Sequence, residues 1–343
     1  MPTTKFTNLD FDQIKTSIKD YLRANSDFSG FDFEGSNFSV LLDTLAYNTY
    51  INAFNSNMIV NESFLDSATL RENVVSLARN IGYVPRSRAA AKAEVSFKLN
   101  LGTSKPAEIV ELSKGIVCVG NVNDSSFTFS ISENIAQQVI LEGSDYVANF
   151  ENITINQGTY LTKQFKFDNS LDQKFILDNS FIDTSTIHVY VKKEGETGLG
   201  YEYFISDDIT NIDSTSRVFF LQEVQDEKYE IRFGDGLLGK KLGSAVGKDG
   251  TIITVDYITS DGVDGNGASA FSFSGSLINP NTNTSIDISS TPTVTTITSS
   301  QGGSEIEPID SIKYYSPKIY SSQNRAVTPR DYEAIIKKIF PET

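Results

Sequence analysis

The stretch Leu70–Leu101, "LRENVVSLARNIGYVPRSRAAAKAEVSFKLNL", changes its hydrophobic period half-way along and so decides the fold class. In its first part Leu70, Val74, Leu77 and Ile81 recur at three- and four-residue spacing, the stripe of an amphipathic helix. Gly82 is placed to end that helix, and Pro85 prevents its resumption. From Ala93 the period becomes two. Ala93, Val95, Phe97, Leu99 and Leu101 alternate with Glu94, Ser96, Lys98 and Asn100, which reads as a half-buried strand.

Upstream of this switch the chain reads as helix. Phe11, Ile14, Ile18, Tyr21 and Leu22 share one helical face behind Asp10, a good N-cap. In "GSNFSVLLDTLAYNTYINAFNSNM" the residues Phe38, Leu41, Leu42, Leu45, Ala46, Thr49 and Ala53 form a second face behind Ser36. Phe28, Phe31, Phe33 and Phe38 crowd nearby. Three short helices cannot readily hide this much apolar surface in one another, and each large side chain left out forgoes roughly 1.5–3 kcal/mol of burial. Either a packed local core or partner helices must cover it.

Downstream the short period continues. "GIVCVGN", "SFTFSIS", "QVILEGS", "STIHVYVKK", "RVFFLQE", "YEIRFGDG" and "GTIITVDYITSDG" are strand-like runs divided by turn residues, the spacing of antiparallel β structure. Thr282–Ser300 is rich in Ser and Thr and is either an exposed edge strand or a linker, with β-branched Thr and Val favouring the strand. Helix returns in "AVTPRDYEAIIKKIF". Thr328 is placed as cap, Pro329 in the first turn, and Asp331 completes an acidic version of the capping box, with Tyr332, Ile335, Ile336 and Ile339 on the apolar side.

The expectation is therefore an α+β multidomain chain. Residues 1–92 form a helical, bundle-forming segment, and 93–310 form one β-rich domain or two with a boundary near 165–185. Residues 311–343 are a linker and the start of a C-terminal domain that the sequence, read as truncated, does not finish. A length of 343 residues fits more than one core. Hydrophobic residues at 39% and charged residues at 21% are ordinary for globular chains, which excludes a disordered class.

No apolar run is long enough to span a bilayer, and the N-terminus lacks a signal core, so a cytosolic product is expected. The single Cys118 rules out an internal disulfide framework and reads as a small buried hydrophobe. Net charge is −15, concentrated in the middle of the chain, while Lys318–Phe340 reverses sign with five basic and two acidic residues. Such an acidic surface repels phosphate backbones, which argues against direct nucleic-acid binding. Beyond solubility, the reversal suggests attraction between acidic and basic ends of neighbouring subunits.

Catalytic signatures are missing. Gly234–Lys240 spells the first seven positions of a P-loop, but Lys241 stands where Ser or Thr must hold magnesium, and another strand follows. Gly234, Gly236 and Gly239 are better read as turn residues permitting positive φ. His188, the only histidine, lies on the more polar face of a strand, opposite Ile187, Val189 and Val191, and no G-x-S-x-G elbow accompanies it. One His and one Cys are too few for a zinc site built from those ligands. In "SDGVDGNG", Asp261, Val263 and Gly265 fail the calcium-loop pattern. Carboxylates are too plentiful for any pair to indicate a glycosidase, and there is no tryptophan to stack a sugar. No enzyme activity, cofactor or metal is expected.

Three stretches together resemble the baseplate wedge proteins of contractile-tailed phages, the baseplate J-like family. They are "DSATLRENVVSLARNIGYVPRSRAAAKAEV" (Asp66–Val95), "YEIRFGDGLLGKKLGSAVGKDGTIITVDYITSDGVDGNG" (Tyr229–Gly267) and "SPKIYSSQNRAVTPRDYEAII" (Ser316–Ile336). The second carries the turn Phe233, Gly234, Asp235, Gly236; the third carries Arg325, Ala326, Val327, Thr328, Pro329, Asp331 and Tyr332.

The resemblance implies a structural subunit of the virion, assembled in the host cytoplasm. It implies N-terminal helices that bundle with other wedge subunits and a second copy of the chain, and later domains that link wedges into a ring which rearranges on contraction. By position it implies bundle contact through Leu70, Val74, Leu77 and Ile81, and a junction to the ring-forming part at Arg325–Tyr332. A sequence ending near 343 departs from the longer T-even-like member, so ring closure is not expected of this chain alone. A receptor-binding or adhesin-like β protein is the alternative, although no fixed repeat period accompanies it. A lysis-type hydrolase is the remaining rival.

Overall fold

The computed structural model describes residues 10–24, 30, 32–33, 35, 37–168, 173–193, 195–206, 212–243, 250–323 and 325–339. Phe28, Phe31, Ser36 and Ser244 lie outside the described residues. The elements are N-terminal helices, a mostly antiparallel β middle and C-terminal helices, as the change of period predicts. By contacts the chain forms two compact units: residues 1–84 with 308–343, and residues 85–307.

The first unit is helical. Helix α1 (Phe11–Arg23) is capped as expected, with the Gln13 N–H donating to Asp10 Oδ1 at 3.1 Å. Helix α2 (Phe38–Glu62) is 25 residues long although it is rich in Thr, Ser and Asn. Thr44, Thr49 and Ser56 turn their hydroxyls back onto carbonyls four residues earlier, which satisfies them without breaking the helix.

Helix α3 (Arg71–Asn80) begins at Leu70, whose side chain cannot cap. Glu62, at the end of α2, does so instead. Its carboxylate accepts from Thr69 N–H at 2.8 Å, Thr69 Oγ1 at 2.7 Å, Leu70 N–H at 3.3 Å and Asn73 Nδ2 at 2.8 Å. Burial opposes the charge on Glu62, but the bonds from Asn73, Thr69 and Leu70 outweigh it and hold the carboxyl at about 2. At the other end Gly82 takes φ +78°, and the Tyr83 N–H returns to Ala78 O at 3.0 Å, closing the helix. Val74, Val75, Ala78 and Tyr83 pack with Ile312 and Ile319 of α4 (Ile309–Ser322) and Ala334 of α5 (Pro329–Ile339).

The second unit holds two sheets. The larger contains β1 (Lys92–Gly102), β2 (Ile109–Leu112), β3 (Gly115–Val122), β4 (Ser125–Ile131), β5 (Ile135–Glu142) and β6 (Asp145–Gln157). The smaller contains β7 (Thr159–Lys166), β8 (Phe175–Leu177), β9 (Ile182–Lys192), β10 (Tyr201–Ile205), β11 (Val218–Glu223), β12 (Tyr229–Phe233) and β13 (Ile252–Thr259). The chain then returns to the larger sheet with β14 (Phe271–Phe273), β15 (Leu277–Asn279), β16 (Thr284–Ile286) and β17 (Val294–Gln301). The seven-stranded sheet is thus an insertion between β6 and β14.

Strand β1 runs between β6 and β17, antiparallel to both, and its apolar set from Ala93 to Leu101 enters the larger core. The Ser/Thr-rich segment holds β16 and most of β17, and β17 pairs with β1. Cys118 is buried in the same core, and burial pushes its thiol up to about 12, so it packs as a hydrophobe. In the smaller sheet all pairings are antiparallel except β10 with β11.

Both chain crossings of this unit are tied. At the base of the insertion the Gln157 side chain bonds Ser260 and Asp261. Gly158, at φ +131°, lies so close to Thr259 that a Cβ would fall 2.2 Å from its carbonyl oxygen. At the ends of the unit, Arg86 N–H donates to Glu307 Oε2 at 3.0 Å and Glu307 N–H donates to Arg86 O at 3.1 Å.

Candidate assembly interface

Helix α2 has only two charged residues, Asp43 and Glu62. Asp43 pairs with Lys15 of α1, and Glu62 is engaged by the α3 cap. Between them the helix is apolar or neutral all round. Leu42 and Ala46 are buried, while Val40, Leu41, Leu45, Tyr47, Phe54 and Ile59 face outward. Leu41 is 63% exposed and Leu45 is 51% exposed, side by side one turn apart. Large apolar side chains facing outward in this number are ordinarily covered by a partner element. Among the described residues, one side only of α2 is covered.

The open side forms a groove of about 590 Å³ between α1 and α2. Ile18, Tyr21 and Leu22 line one wall, and Phe38, Leu41 and Leu45 the other. Its chemistry is that of a helix–helix seam: aliphatic and aromatic, with hydroxyls only on Ser17 and Tyr21 among its lining residues. It offers no titratable pair for proton transfer. Its lining is suited to apolar side chains.

The stripe expected from the sequence sits elsewhere in the unit. Val74 is fully buried against the α4 and α5 residues, and Leu77 packs at the edge of that core. Leu70 and Ile81 occupy the two cap positions of α3 and lie outside the helix proper. Leu70 is 47% exposed and is the member of the four most open to an outside contact. Sequence periodicity identifies an apolar face but does not say which neighbour takes it.

In the C-terminal motif the local geometry matches its sequence signature. Asp331 Oδ2 accepts from Thr328 N–H at 2.7 Å and Val327 N–H at 3.2 Å, and Asp331 N–H points back to Thr328 Oγ1 at 3.4 Å. These bonds from Thr328 and Val327 hold the Asp331 carboxyl below its ordinary value. Arg325 Nη2 donates to Gln323 Oε1, Ala326 follows in the connecting segment, Pro329 is the first residue of α5, and Val327 and Tyr332 stand exposed.

The Phe233–Gly236 turn closes on itself. Asp235 Oδ1 accepts from Leu237 N–H at 2.8 Å and Leu238 N–H at 2.9 Å. A P-loop needs such amides free for phosphate; here the loop's own carboxylate occupies them. Gly236 and Gly239 take positive φ as expected, but Gly234 does not. Its role is close approach, because a Cβ there would lie 2.2 Å from the Gly239 backbone. The Asp261 carboxylate likewise accepts from Gln157 Nε2 and serves the base of the insertion.

Two stretches of the chain match family models, and one curated relative aligns along most of it. Residues 10–83, which contain α1–α3, match the family described as "Baseplate wedge protein gp6-like, helical domain". Residues 160–260, which hold the inserted sheet, match "Bacteriophage baseplate wedge protein gp6, third domain". The chain is similar to "Baseplate wedge protein gp6" of Enterobacteria phage T4, with 28% identity over 344 aligned positions, covering 96% of this chain and 50% of that protein. It spans about half the length of that curated relative. Among the described residues no helix is long and apolar enough to cross a membrane.

Proposed function

We propose that this chain is a structural, non-enzymatic subunit of a contractile-tail baseplate wedge, of the baseplate J-like type, located in the virion tail and assembled in the host cytoplasm. The observation that carries the reading is α2, a 25-residue helix without a charged residue between Asp43 and Glu62, open along the side where Leu41 and Leu45 stand. The match of residues 10–83 to a wedge helical domain supports the same role. In this proposal apolar helices of other wedge subunits, and of a second copy of the chain, lie in the α1–α2 groove and reach Leu70. The Arg325–Tyr332 segment leads toward the ring-forming part, and contraction exchanges one packing of these surfaces for another.

The test is co-expression with the other wedge subunits of the same phage, followed by light scattering on the separated complex. A complex of fixed stoichiometry supports the proposal. A monomer that ignores those subunits contradicts it.

A further inference from the structure

The sequence expectation of no zinc site weighed only His and Cys, and strand pairing brings carboxylates to the one histidine. In the seven-stranded sheet Asp256 pairs with His188, and Glu202 pairs with Tyr190. Residues two apart on a strand share a face, so His188, Tyr190, Asp256 and Glu202 project to one side. The turn between β4 and β5 of the other sheet delivers Glu133 to the same place. His188 Nδ1 lies 3.3 Å from Glu202 Oε1 and 3.4 Å from Glu133 Oε1. The three donor atoms all fall within 4.8 Å of one another.

We propose that Glu133, His188 and Glu202 form a binding site for one divalent transition-metal ion of the zinc class, which ties the inserted sheet to the larger one. A tetrahedral ion with bonds of about 2.1 Å holds its ligand atoms about 3.4 Å apart. Two of the three edges have that length already, and the third closes by rotation of Glu133, whose side chain is 60% exposed. Solvent access there leaves a fourth position for water.

Charge supports the same assignment. Two carboxylates converge on a single ring nitrogen, which carries at most one proton and directs it along one line. The nearby cation Lys114 is engaged by buried Asp256, at 2.5 Å. Among the described residues no Lys or Arg forms an ion pair with Glu133 or Glu202. Imidazole with carboxylates suits zinc, cobalt or nickel, whereas magnesium and calcium take oxygen ligands. The site goes beyond the wedge reading and stands without it.

The experiment is titration of the chelator-stripped full chain with Zn²⁺ alone, repeated with Co²⁺ to read ligand-field absorption. One saturable equivalent and a rise in Tm are expected. His188→Ala should abolish binding, and Glu133→Gln should weaken it by roughly 10- to 100-fold. If His188→Ala fails to fold, Glu133→Gln, on an exposed turn side chain, decides alone. No uptake by the wild type, or wild-type affinity in a folded variant, overturns the site and leaves His188 as an ion-pair partner only.

Discussion

Gln157 and Asp261, 104 residues apart in the chain, bind each other twice: Gln157 Nε2 donates to Asp261 Oδ2 at 2.7 Å, and Asp261 N–H donates to Gln157 Oε1 at 3.0 Å. Ser260 Oγ adds a third bond to Gln157 Oε1 at 2.7 Å. One buried amide thereby closes the base of the inserted sheet, where the chain leaves the larger sheet and where it returns.

Gln157→Leu removes all three bonds and leaves polar groups of Ser260 and Asp261 without their partner. A loss of about 2–3 kcal/mol is expected, because orphaned buried groups cost more than the bonds themselves gave. Urea unfolding followed by tyrosine fluorescence measures it in a chain that has no tryptophan. An unchanged midpoint would mean the insertion is held elsewhere.

Val74→Asp places a charge where α3 meets α4 and α5. With Val74 at 0% exposure, a cost of about 3 kcal/mol or more is expected. Far-UV circular dichroism should lose helix signal while the sheet signal persists, since both β cores lie in the other compact unit. This variant tests the helical core and is unsuited to testing assembly.

Glu62 makes the helical unit sensitive to acid. Its folded value of about 2 lies below the ordinary 4.5, so its contribution is fully present above about 4.5 and is lost as pH falls through about 2. Glu62→Gln should lower Tm at neutral pH, and the gap from the wild type should shrink across that window. A gap that does not change with pH would assign the effect to packing.

Legibility followed the range of each signal. The Thr328–Asp331 cap and the Gly82 stop are local, and both stand where the residues imply. The cap of α3 is not local to its own helix: Glu62 reaches it from the preceding one, eight residues before Leu70. Strand β6 also escaped notice. Ala148 and Phe150 are buried in one phase and Ile153 and Ile155 in the other, because Asn152, at φ +52°, bulges the strand and switches its faces.

Nesting was equally hidden. Period two marks a strand but not its partner, so nothing in the residues says that β6 and β14 share a sheet across the whole insertion. The candidate interface was half legible. Its apolar excess is written in the sequence, but Leu42 and Leu41 are adjacent, and packing against α1 decides which of them remains open.

The most direct test of the wedge account replaces both Leu41 and Leu45 by Asp and co-expresses that chain with the other wedge subunits. Both side chains are exposed, so thermal stability should change by no more than about 0.5 kcal/mol per site. Light scattering should then find the folded variant as free chain, while the wild type elutes in a complex of fixed mass. Complex formation by the double variant at the wild-type level would contradict the claim that the α1–α2 groove is the assembly surface.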